Sequence, residues 1–171
     1  MNDLAQRLAR GEPAAFGELY DCCGDRVHHY LTTFLGSRDA ADEAMQDTFV
    51  RLVRSRDRLG SVENLVAYVF TVARNEALRG VERRARDNKR LEPLGAADLF
   101  YDADDPVRRE QAEAVANGLQ RLGDEQREVV ELKIYGGLTF REIADVTGVP
   151  LQTAATRYRA ALECLKEWFA R

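Results

Sequence analysis

The sequence lacks long apolar runs. None of its hydrophobic stretches approaches the roughly 20 residues that a membrane-spanning helix needs. Its first residues, Met1, Asn2 and Asp3, are polar, and they do not resemble a secretory signal peptide. We therefore expect a chain that does not insert into a membrane and that is cytoplasmic.

Cysteine is scarce, and the arrangements that enzymes and metal sites require are missing. The three cysteines, Cys22, Cys23 and Cys164, include an adjacent pair but no C-x-x-C spacing. His28 and His29 follow the pair, yet buried free thiols explain these residues better than a metal site does. The sequence also contains no glycine-rich phosphate loop and no nucleophile–base arrangement. We expect neither an enzyme nor a bound metal or other cofactor.

The chain also lacks the positive charge expected of a nucleic-acid-binding protein. Its net charge is −4, but the acidity is concentrated in one segment. Residues 91–107 contain five acidic residues and no basic residue, and they also carry Pro93 and Pro106. This composition predicts an acidic flexible linker between two domains, residues 1–90 and 108–171. The segment is either a solvated tether or an acidic strand that occupies a basic channel on a partner.

No segment alternates convincingly between polar and apolar residues, so we predict an all-α fold of two small helical domains. Pro13 suits the first position of a helix whose apolar residues recur every three or four positions until Gly36. A second helix is predicted from about Asp39 to Arg56, with acidic residues favoured in its first half by the helix dipole. A third helix is predicted from Leu65 to about Arg86, after a loop over residues 58–64.

The last third of the chain predicts a helix-turn-helix, which presents one helix to the major groove of DNA. Thr139 and Glu142 have the T-x-x-E spacing of a capping box at a helix start. Gly148 can end this helix in the left-handed conformation, and Pro150 suits the first turn of the next helix. A scaffold helix over residues 126–135 completes the predicted C-terminal domain.

The helix predicted from Leu151 to Phe169 has two faces. The apolar residues that are expected to pack on the scaffold are Ala154, Tyr158, Ala161, Leu165 and Trp168. The residues of the opposite face and its flanks are Gln152, Thr153, Thr156, Arg157 and Arg159. Gln and Arg can contact adenine and guanine through two hydrogen bonds, and Thr can reach a phosphate or a thymine methyl. We expect DNA contact here rather than an ordinary solvated face, although Arg157 could instead pair with Glu128 or Glu131.

The third predicted helix changes character along its length. Its first half is apolar on most sides, whereas residues 74–90 contain seven basic and three acidic residues. Arg79, Arg83 and Arg86 recur at spacings of four and three, which places them on one face and suits a phosphate backbone. The alternative is that these cations only complement the dipole at the helix end. Tyr68 and Phe70 are either core residues or platforms on which unpaired bases stack.

Four motifs occur in an informative order. The first two are D-E-x-x-Q-D-x-F-x-x-L, from Asp42 to Leu52, and A-Y-x-x-x-V-A-R-N-x-A, from Ala67 to Ala77. The last two are L-x-x-E-Q-R-E-V, from Leu122 to Val129, and Y-x-G-L-T-x-x-E-I-A, from Tyr135 to Ala144. With the acidic segment between the two pairs, nearly the whole chain resembles a bacterial RNA polymerase sigma factor of the extracytoplasmic-function (ECF) group of the sigma-70 family.

The resemblance implies a sigma factor that directs promoter-specific transcription initiation. It assigns to the clamp of core RNA polymerase the residues Asp39, Asp42, Glu43, Gln46 and Asp47. It assigns to recognition and melting of the proximal (−10) promoter element the residues Asn64, Tyr68, Arg74, Asn75, Arg79, Arg83 and Arg84. It assigns to the duplex of the distal (−35) element the residues Thr139, Gln152, Thr153, Thr156, Arg157 and Arg159.

The resemblance also implies partners and a few departures. The partners are core RNA polymerase, promoter DNA and an anti-sigma factor that would wedge between the domains, and the linker would thread the RNA exit channel. Tyr68 replaces a frequent Trp, and Thr71 replaces a frequent basic residue. Frequent basic residues are also missing at Ala160, Leu162 and Glu163, so weaker phosphate binding is expected there.

Two other classes of protein explain less of the sequence. A free-standing helix-turn-helix regulator accounts for the C-terminal domain, but it leaves the basic third helix and the acidic segment without a role. It would also usually dimerise to read a palindrome. An enzyme is less favoured still, because no catalytic arrangement is present. Co-purification with core polymerase separates the sigma-factor interpretation from both alternatives.

Overall fold

The structure is a computed structural model that describes residues 2–87 and 114–170. Within these ranges, every regular element is a helix, which confirms the all-α prediction. The N-terminal elements are α1 (Asn2–Ala9), α2 (Pro13–Leu35), α3 (Arg38–Arg54), a 3-10 helix (Arg56–Ser61) and α4 (Leu65–Arg86). The C-terminal elements are α5 (114–120), α6 (Asp124–Ile134), α7 (Phe140–Thr147) and α8 (Leu151–Phe169). The predicted acidic linker, residues 91–107, lies outside the described residues.

The helix boundaries follow local signals in the sequence. Gly36 ends α2 with a φ of 62°, in the left-handed region that favours glycine. The hydroxyl of Ser37 then accepts a hydrogen bond from the Ala40 N–H and so caps α3. The side chain of Asn64 caps α4 in the same way, through the Ala67 N–H at 3.1 Å. Residues 58–64, which we expected to form a loop, are in part the 3-10 helix.

The N-terminal helices surround a core of large apolar side chains. Tyr30 and Phe70 are 1% and 0% exposed, and their ring centroids lie 5.6 Å apart in an edge-to-face arrangement. Burial of an aromatic or aliphatic side chain of this size contributes about 1.5–3 kcal/mol. Helix α1, which the sequence analysis missed, adds the fully buried Leu8 to this core. The core fixes α3 against α4 and leaves one side of each helix exposed.

The C-terminal helices form the predicted helix-turn-helix. Thr139 and Glu142 make both hydrogen bonds of a capping box at the start of α7. Gly148 ends α7 with a φ of 71°. Helix α8 then packs on α6 and α7 through the buried Ala154 and Ala161.

The far end of α8 is attached to the rest of the C-terminal domain by its tryptophan. The guanidinium of Arg121 stacks on the ring of Trp168, 4.0 Å from its centroid. The Trp168 ring also lies close to Gly118 of α5, where an added Cβ would approach a ring carbon to 3.3 Å. The last turns of α8 are therefore packed against α5 and the turn that follows it.

The two sets of helices pack directly on each other. Helix α7 contacts α4, and α6 contacts α2. Val129, Leu132 and Leu138 belong to the same buried cluster as Leu31 and Phe70 of the N-terminal helices. The described residues therefore share one continuous apolar core, which holds α6 and α7 beside α2 and α4.

The cysteines are only partly as expected. All three are free thiols. Cys23 is buried and its Sγ lies 3.3 Å from the Leu19 carbonyl oxygen, whereas Cys164 is half-buried. Cys22 is exposed, so its interpretation as a buried thiol is wrong. In residues 2–87 and 114–170, no group of His, Cys, Asp or Glu side chains is arranged to hold a metal ion. No helix in that part of the chain has the length and apolar character to cross a bilayer.

Candidate polymerase and nucleic-acid interfaces

The predicted polymerase-binding residues lie on the outer side of α3, in two groups. Asp39, Asp42 and Gln46 are exposed and face away from α4, and Asp42 lies 2.7 Å from the ring of His28. Glu43 and Asp47 lie about 100° and 140° from Asp42 around the helix, beside the C-terminal half of α4. The structure therefore divides the predicted acidic face into a free side and a side that meets α4.

The side of α3 near α4 is neutralised within the chain. Glu43 Oε2 lies 2.6 Å from Arg84 Nη2 and 3.8 Å from Arg83 Nη2. Asp47 Oδ2 lies 3.7 Å from the same Arg83 nitrogen. Only Arg84 among these residues is largely covered, with 17% of its side chain exposed. Exposed ion pairs of this kind contribute little to stability, so the buried core, and not these pairs, fixes α3 against α4.

An apolar surface beside the acidic residues was not predicted. A shallow groove between α2 and α3 is lined by Phe16, Tyr20, Met45 and Phe49, among other residues. The rings of Tyr20 and Phe49 lie 5.3 Å apart, and Tyr20 is half exposed. On α3, Val50 and Val53 are also exposed. The two valines fall outside the buried stripe of α3, which is the signal that the sequence analysis overlooked.

The predicted proximal-element residues of α4 do not all share one face. Tyr68, Asn75 and Arg79 lie within about 40° of each other around the helix, and Arg83 lies close to them. Asn75, Arg79 and Arg83 are exposed, and Arg79 forms an ion pair with Glu76. Tyr68 is half-buried and packs against the core. These four residues are placed where a single strand could lie along α4.

Burial distinguishes Tyr68 from Phe70, the two aromatic residues of α4 that were expected to be either core residues or platforms for bases. Phe70 is fully buried, so it is a core residue and not a platform for bases. Tyr68 is only half-buried, and it lies on the same side of α4 as Asn75. A stacking role for an aromatic of α4 is therefore confined to Tyr68.

Arg74 and Asn64 instead point towards the C-terminal domain. Arg74 Nε donates to Glu128 Oε1 at 2.6 Å, and Arg74 Nη2 donates to Glu128 Oε2 at 3.3 Å. The Asn64 side-chain amide donates to the carboxylate of Glu142. These two residues of the predicted proximal-element site thus have carboxylate partners on α6 and α7.

Glu128 also accepts a hydrogen bond from a buried tyrosine. The hydroxyl of Tyr30 donates to Glu128 Oε1 at 2.8 Å. Burial, followed by the nearby charge of Glu128, raises the pKa of Tyr30 well above 10. The tyrosine therefore stays protonated and remains a donor. The Glu128 carboxylate of α6 therefore binds one side chain of α2 and one of α4.

The recognition helix presents the predicted face to solvent. Gln152, Thr156 and Arg159 are exposed, and Thr153 is half-buried on the flank. Thr139 is exposed at the N-terminus of α7, where its hydroxyl accepts the Glu142 N–H at 3.3 Å.

Arg157, the other flanking residue, forms an ion pair, but not with either partner that we considered. Its Nη2 lies 2.6 Å from Glu125 Oε1 at the start of α6. Glu128 is occupied by Arg74 and Tyr30, and Glu131 lies 3.1 Å from the ring of His29. In this arrangement Arg157 ties α8 to its scaffold helix.

Comparisons with known proteins decide the family. Residues 19–87 match the model for Sigma-70 region 2, and residues 112–165 match the model for Sigma-70 region 4. The chain is 30% identical to the ECF RNA polymerase sigma factor SigK of Mycobacterium ulcerans, over 97% of this chain and 91% of that protein. It is 29% identical to SigK of Mycobacterium tuberculosis, with the same coverage. The chain belongs to the ECF RNA polymerase sigma factors.

Solved structures of sigma factors share the fold. One is CnrH in complex with the cytosolic domain of CnrY, with a TM-score of 0.70 and 24% identity over 99% of this chain and 96% of that chain. Another is the sigma factor RpoE in complex with the anti-sigma factor NepR from Bartonella quintana. Its TM-score is 0.73, with 22% identity over 91% of this chain and 96% of that chain.

Family membership confirms the main functional predictions. The sigma factor acts in promoter-specific transcription initiation with RNA polymerase, and it is not an enzyme. Its partners therefore include RNA polymerase and promoter DNA. The comparisons do not assign roles to individual residues.

Proposed function

We propose that the sigma factor reads the distal promoter element as duplex DNA through the N-terminal half of α8. The observation that carries this proposal is the exposure of Gln152, Thr156 and Arg159 on the second helix of a capped helix-turn-helix. A recognition helix meets base edges with such residues in its first turns. Thr139 and Thr153 flank this face within reach of phosphates, and Arg157 joins them only when a phosphate replaces its Glu125 partner. The corresponding domain covers residues 108–171.

The proximal element is recognised and melted by the N-terminal domain, residues 1–90. Tyr68 supplies a stacking surface, and Asn75, Arg79 and Arg83 follow it along α4 within reach of one strand. Proteins bind single-stranded nucleic acid with a basic groove that follows the backbone and with aromatic side chains on which the bases stack. Asn64, at the start of α4, lies beside the pocket that we propose for a flipped base. Arg74 lies about 120° from Tyr68 around α4, on the side that meets α6, and Arg84 supports the site from the side that meets α3.

Core polymerase binds the free side of α3. Asp39, Asp42 and Gln46 are exposed there, next to the apolar groove that contains Tyr20 and Phe49. An apolar centre with a charged rim is the usual composition of a protein interface. Glu43 and Asp47 lie at the edge of this surface. Residues 91–107 are the acidic linker, which would occupy a basic channel of the polymerase.

Because RNA polymerase and promoter DNA are its partners, we propose that the sigma factor acts in the cytoplasm, where an anti-sigma factor also binds it. A groove of about 230 Å³ lies between α2, α4 and α6. Phe34, Leu78 and Val81 line it on one side, and Arg127 lines it on the other. Apolar side chains from an amphipathic helix of an anti-sigma factor would fill this groove and cover Leu78 and Val81. The solved sigma factors of the same fold are themselves in complexes, RpoE with the anti-sigma factor NepR, which supports an anti-sigma partner for this chain.

A run-off transcription assay tests the distal-element proposal. The sigma factor and core RNA polymerase would be incubated with a pool of genomic fragments, and the transcripts would be sequenced to identify the promoters. Gln152→Ala and Arg159→Ala should reduce transcription from those promoters, while Glu167→Ala, at the other end of α8, should leave it unchanged. Wild-type transcription by folded Gln152→Ala and Arg159→Ala variants would rule out this assignment of the recognition face.

A further inference from the structure

The arginines that we assign to the proximal element already have partners within the chain. Each of the four forms an ion pair with a carboxylate, and the pairs are Arg74–Glu128, Arg79–Glu76, Arg83–Asp47 and Arg84–Glu43. A phosphate that binds one of these guanidinium groups must first displace the carboxylate, because both anions use the same N–H donors. The net attraction of α4 for a DNA backbone is therefore smaller than its number of arginines suggests.

A second group of arginines lies at the end of α3 and on the 3-10 helix. Residues 51–58 contain the four arginines Arg51, Arg54, Arg56 and Arg58 and a single acidic residue, Asp57. The side chains of all four arginines are exposed. Within residues 2–87 and 114–170, no carboxylate forms an ion pair with Arg51 or Arg54. The charge of these two arginines is therefore available to a ligand.

The position of Arg51 and Arg54 along α3 brings them level with the middle of α4. A narrow cleft between the two helices is lined by side chains from residues 40–47 of α3 and residues 76–84 of α4. The two helices run in opposite directions, because residues 55–64 join the end of α3 to the start of α4. Arg51 and Arg54 follow the cleft along α3, so they are level with the part of α4 that precedes it.

Both arginines also lie on the side of α3 that faces α4. Around the helix, Arg51 lies about 40° beyond Asp47, and Arg54 lies about 20° before it. Asp47 itself forms the ion pair with Arg83 of α4. Val53, by contrast, lies about 120° from Asp47, on the free side of the helix. The guanidinium groups of Arg51 and Arg54 therefore flank the exposed face of α4.

We propose that Arg51 and Arg54 bind the phosphate backbone of a DNA single strand that lies along α4. An unpaired guanidinium binds a phosphate through two parallel N–H groups without giving up another partner. The backbone then follows α3, and the bases turn towards Tyr68 and Asn75, in the combination of cationic groove and aromatic platform that single strands require. The proposal rests on the proposed function of α4, since the strand must lie there for the α3 arginines to reach it.

Salt-dependent binding to a single strand tests the phosphate contacts. The full chain would be titrated into a fluorescein-labelled single-stranded DNA of randomised sequence at several salt concentrations. The variant that carries both Arg51→Ala and Arg54→Ala should bind about tenfold more weakly than the wild type at low salt. Each lost phosphate contact should also reduce the slope of log affinity against log salt by about 0.7. Arg54→Lys keeps the charge and should retain most of the slope.

Arg56→Ala is the matched control. It removes the same charge from a neighbouring exposed position, but the Arg56 side chain lies against Gly11, where an added Cβ would approach Arg56 Nε to 3.1 Å. Its guanidinium thus lies beside the end of α1 and not beside α4, so the salt slope should change less than in Arg54→Ala. Equal losses in Arg54→Ala and Arg56→Ala would mean that only the overall charge attracts the strand, and the proposed contacts would be wrong.

Further titrations separate this proposal from the proposed function. If Tyr68→Ala and Arg79→Ala weaken binding to the same strand but the α3 double variant does not, the role of α4 stands and the α3 contacts are overturned. If only the α3 variants weaken binding, their phosphate contacts stand and the role of α4 is wrong. If none of the variants weakens binding, both ideas fail.

An acidic surface of the polymerase is the other anion that could bind these arginines. The affinity of the folded α3 double variant for core polymerase would therefore be measured by fluorescence anisotropy. We expect it to match that of the wild type. Weaker binding to core polymerase together with unchanged binding to the single strand would assign Arg51 and Arg54 to the polymerase and overturn the DNA contact.

Discussion

Adjacent cysteines in α2 have different environments. Cys23 continues the buried stripe that contains Leu19 and Val27, whereas Cys22 lies about 100° away on the solvent side. The helical period could have separated them, because Cys23 falls on the three-and-four spacing of the apolar residues and Cys22 does not. The sequence analysis considered the thiols as a group and so missed the exposed one.

We predict that alkylation distinguishes the two thiols. Burial raises the pKa of Cys23 to about 11, so almost none of it is the reactive thiolate near neutral pH. Cys22 is exposed and should react with iodoacetamide while the chain is folded. Peptide mass spectrometry after a short reaction at pH 8 would measure both sites. Denaturation in urea is the control, because Cys23 should then react at a rate comparable with that of Cys22.

Tyr68 is the residue on which the proposed melting surface depends most. An aromatic platform gains about 1–3 kcal/mol of stacking per base, and only after the base leaves the duplex. We therefore predict that Tyr68→Ala reduces promoter opening and the lifetime of the open complex more than it reduces initial binding. Permanganate footprinting would report the melted bases, and gel shift at fixed salt would report binding.

A conservative change separates stacking from packing at this position. Tyr68→Phe keeps the ring and should retain most of the opening. If Tyr68→Ala opens promoters as well as the wild type does, Tyr68 is a core residue and the melting surface lies elsewhere. A thermal melt of each variant ensures that lost opening does not merely reflect an unfolded domain.

Most helices were predictable because their signals are local. The stripe of α2, the boundaries of α4 and the capping box of α7 depend on residues only a few positions apart. Helix α1 was missed because its eight residues provide few repeats of the helical period. The 3-10 helix after α3 was missed for a similar reason, since its six residues carry no periodic apolar pattern.

Two glycines, one in the turn of the helix-turn-helix and one in α2, predict stability changes of opposite sign. Gly148 has a φ of 71°, which an alanine adopts only with strain. Gly17 lies inside α2, with open space around an added Cβ. We predict that Gly148→Ala destabilises the chain by about 1 kcal/mol and that Gly17→Ala stabilises it by up to a similar amount. Circular dichroism melts would show the two midpoints shifting in opposite directions by about 2–4 °C.

Helix α3 carries the prediction about polymerase. Asp42 lies on the free side of the helix, so Asp42→Arg should weaken binding to core polymerase by about tenfold or more while the fold is retained. Asp57→Arg, an exposed reversal on the 3-10 helix, is the matched control. Fluorescence anisotropy of the labelled sigma factor with core polymerase would give both affinities. Equal affinities of wild type and a well-folded Asp42→Arg variant would remove α3 from the interface.

At the scale of the whole molecule, the sequence could not predict how the domains meet. Arg74 and Glu128 are 54 positions apart, and nothing in either local pattern marks them as a pair. Each was interpreted within its own helix, Arg74 as a DNA contact and Glu128 as a possible partner of Arg157. The position of α6 against α2 and α4 comes from apolar side chains that meet only in the folded chain.

The shared core predicts cooperative unfolding. Because Leu132 and Leu138 are buried together with Phe70, loss of either domain exposes apolar surface of the other. We expect one transition in differential scanning calorimetry, with calorimetric and van't Hoff enthalpies in agreement. Glu128→Arg places a second cation beside Arg74 where the domains meet, so this change should divide the transition into two. Two transitions in the wild type would mean that the domains unfold independently.

The stacking of Arg121 on Trp168 also makes the chain its own optical probe. Trp168 is the only tryptophan, so excitation near 295 nm (a wavelength that only indole absorbs strongly) reports on the C-terminal domain alone. A red shift of its emission marks the moment when α8 detaches from α5 and the indole enters water. Detachment of α8 from α5 can then be followed in the unlabelled protein without a signal from the N-terminal domain.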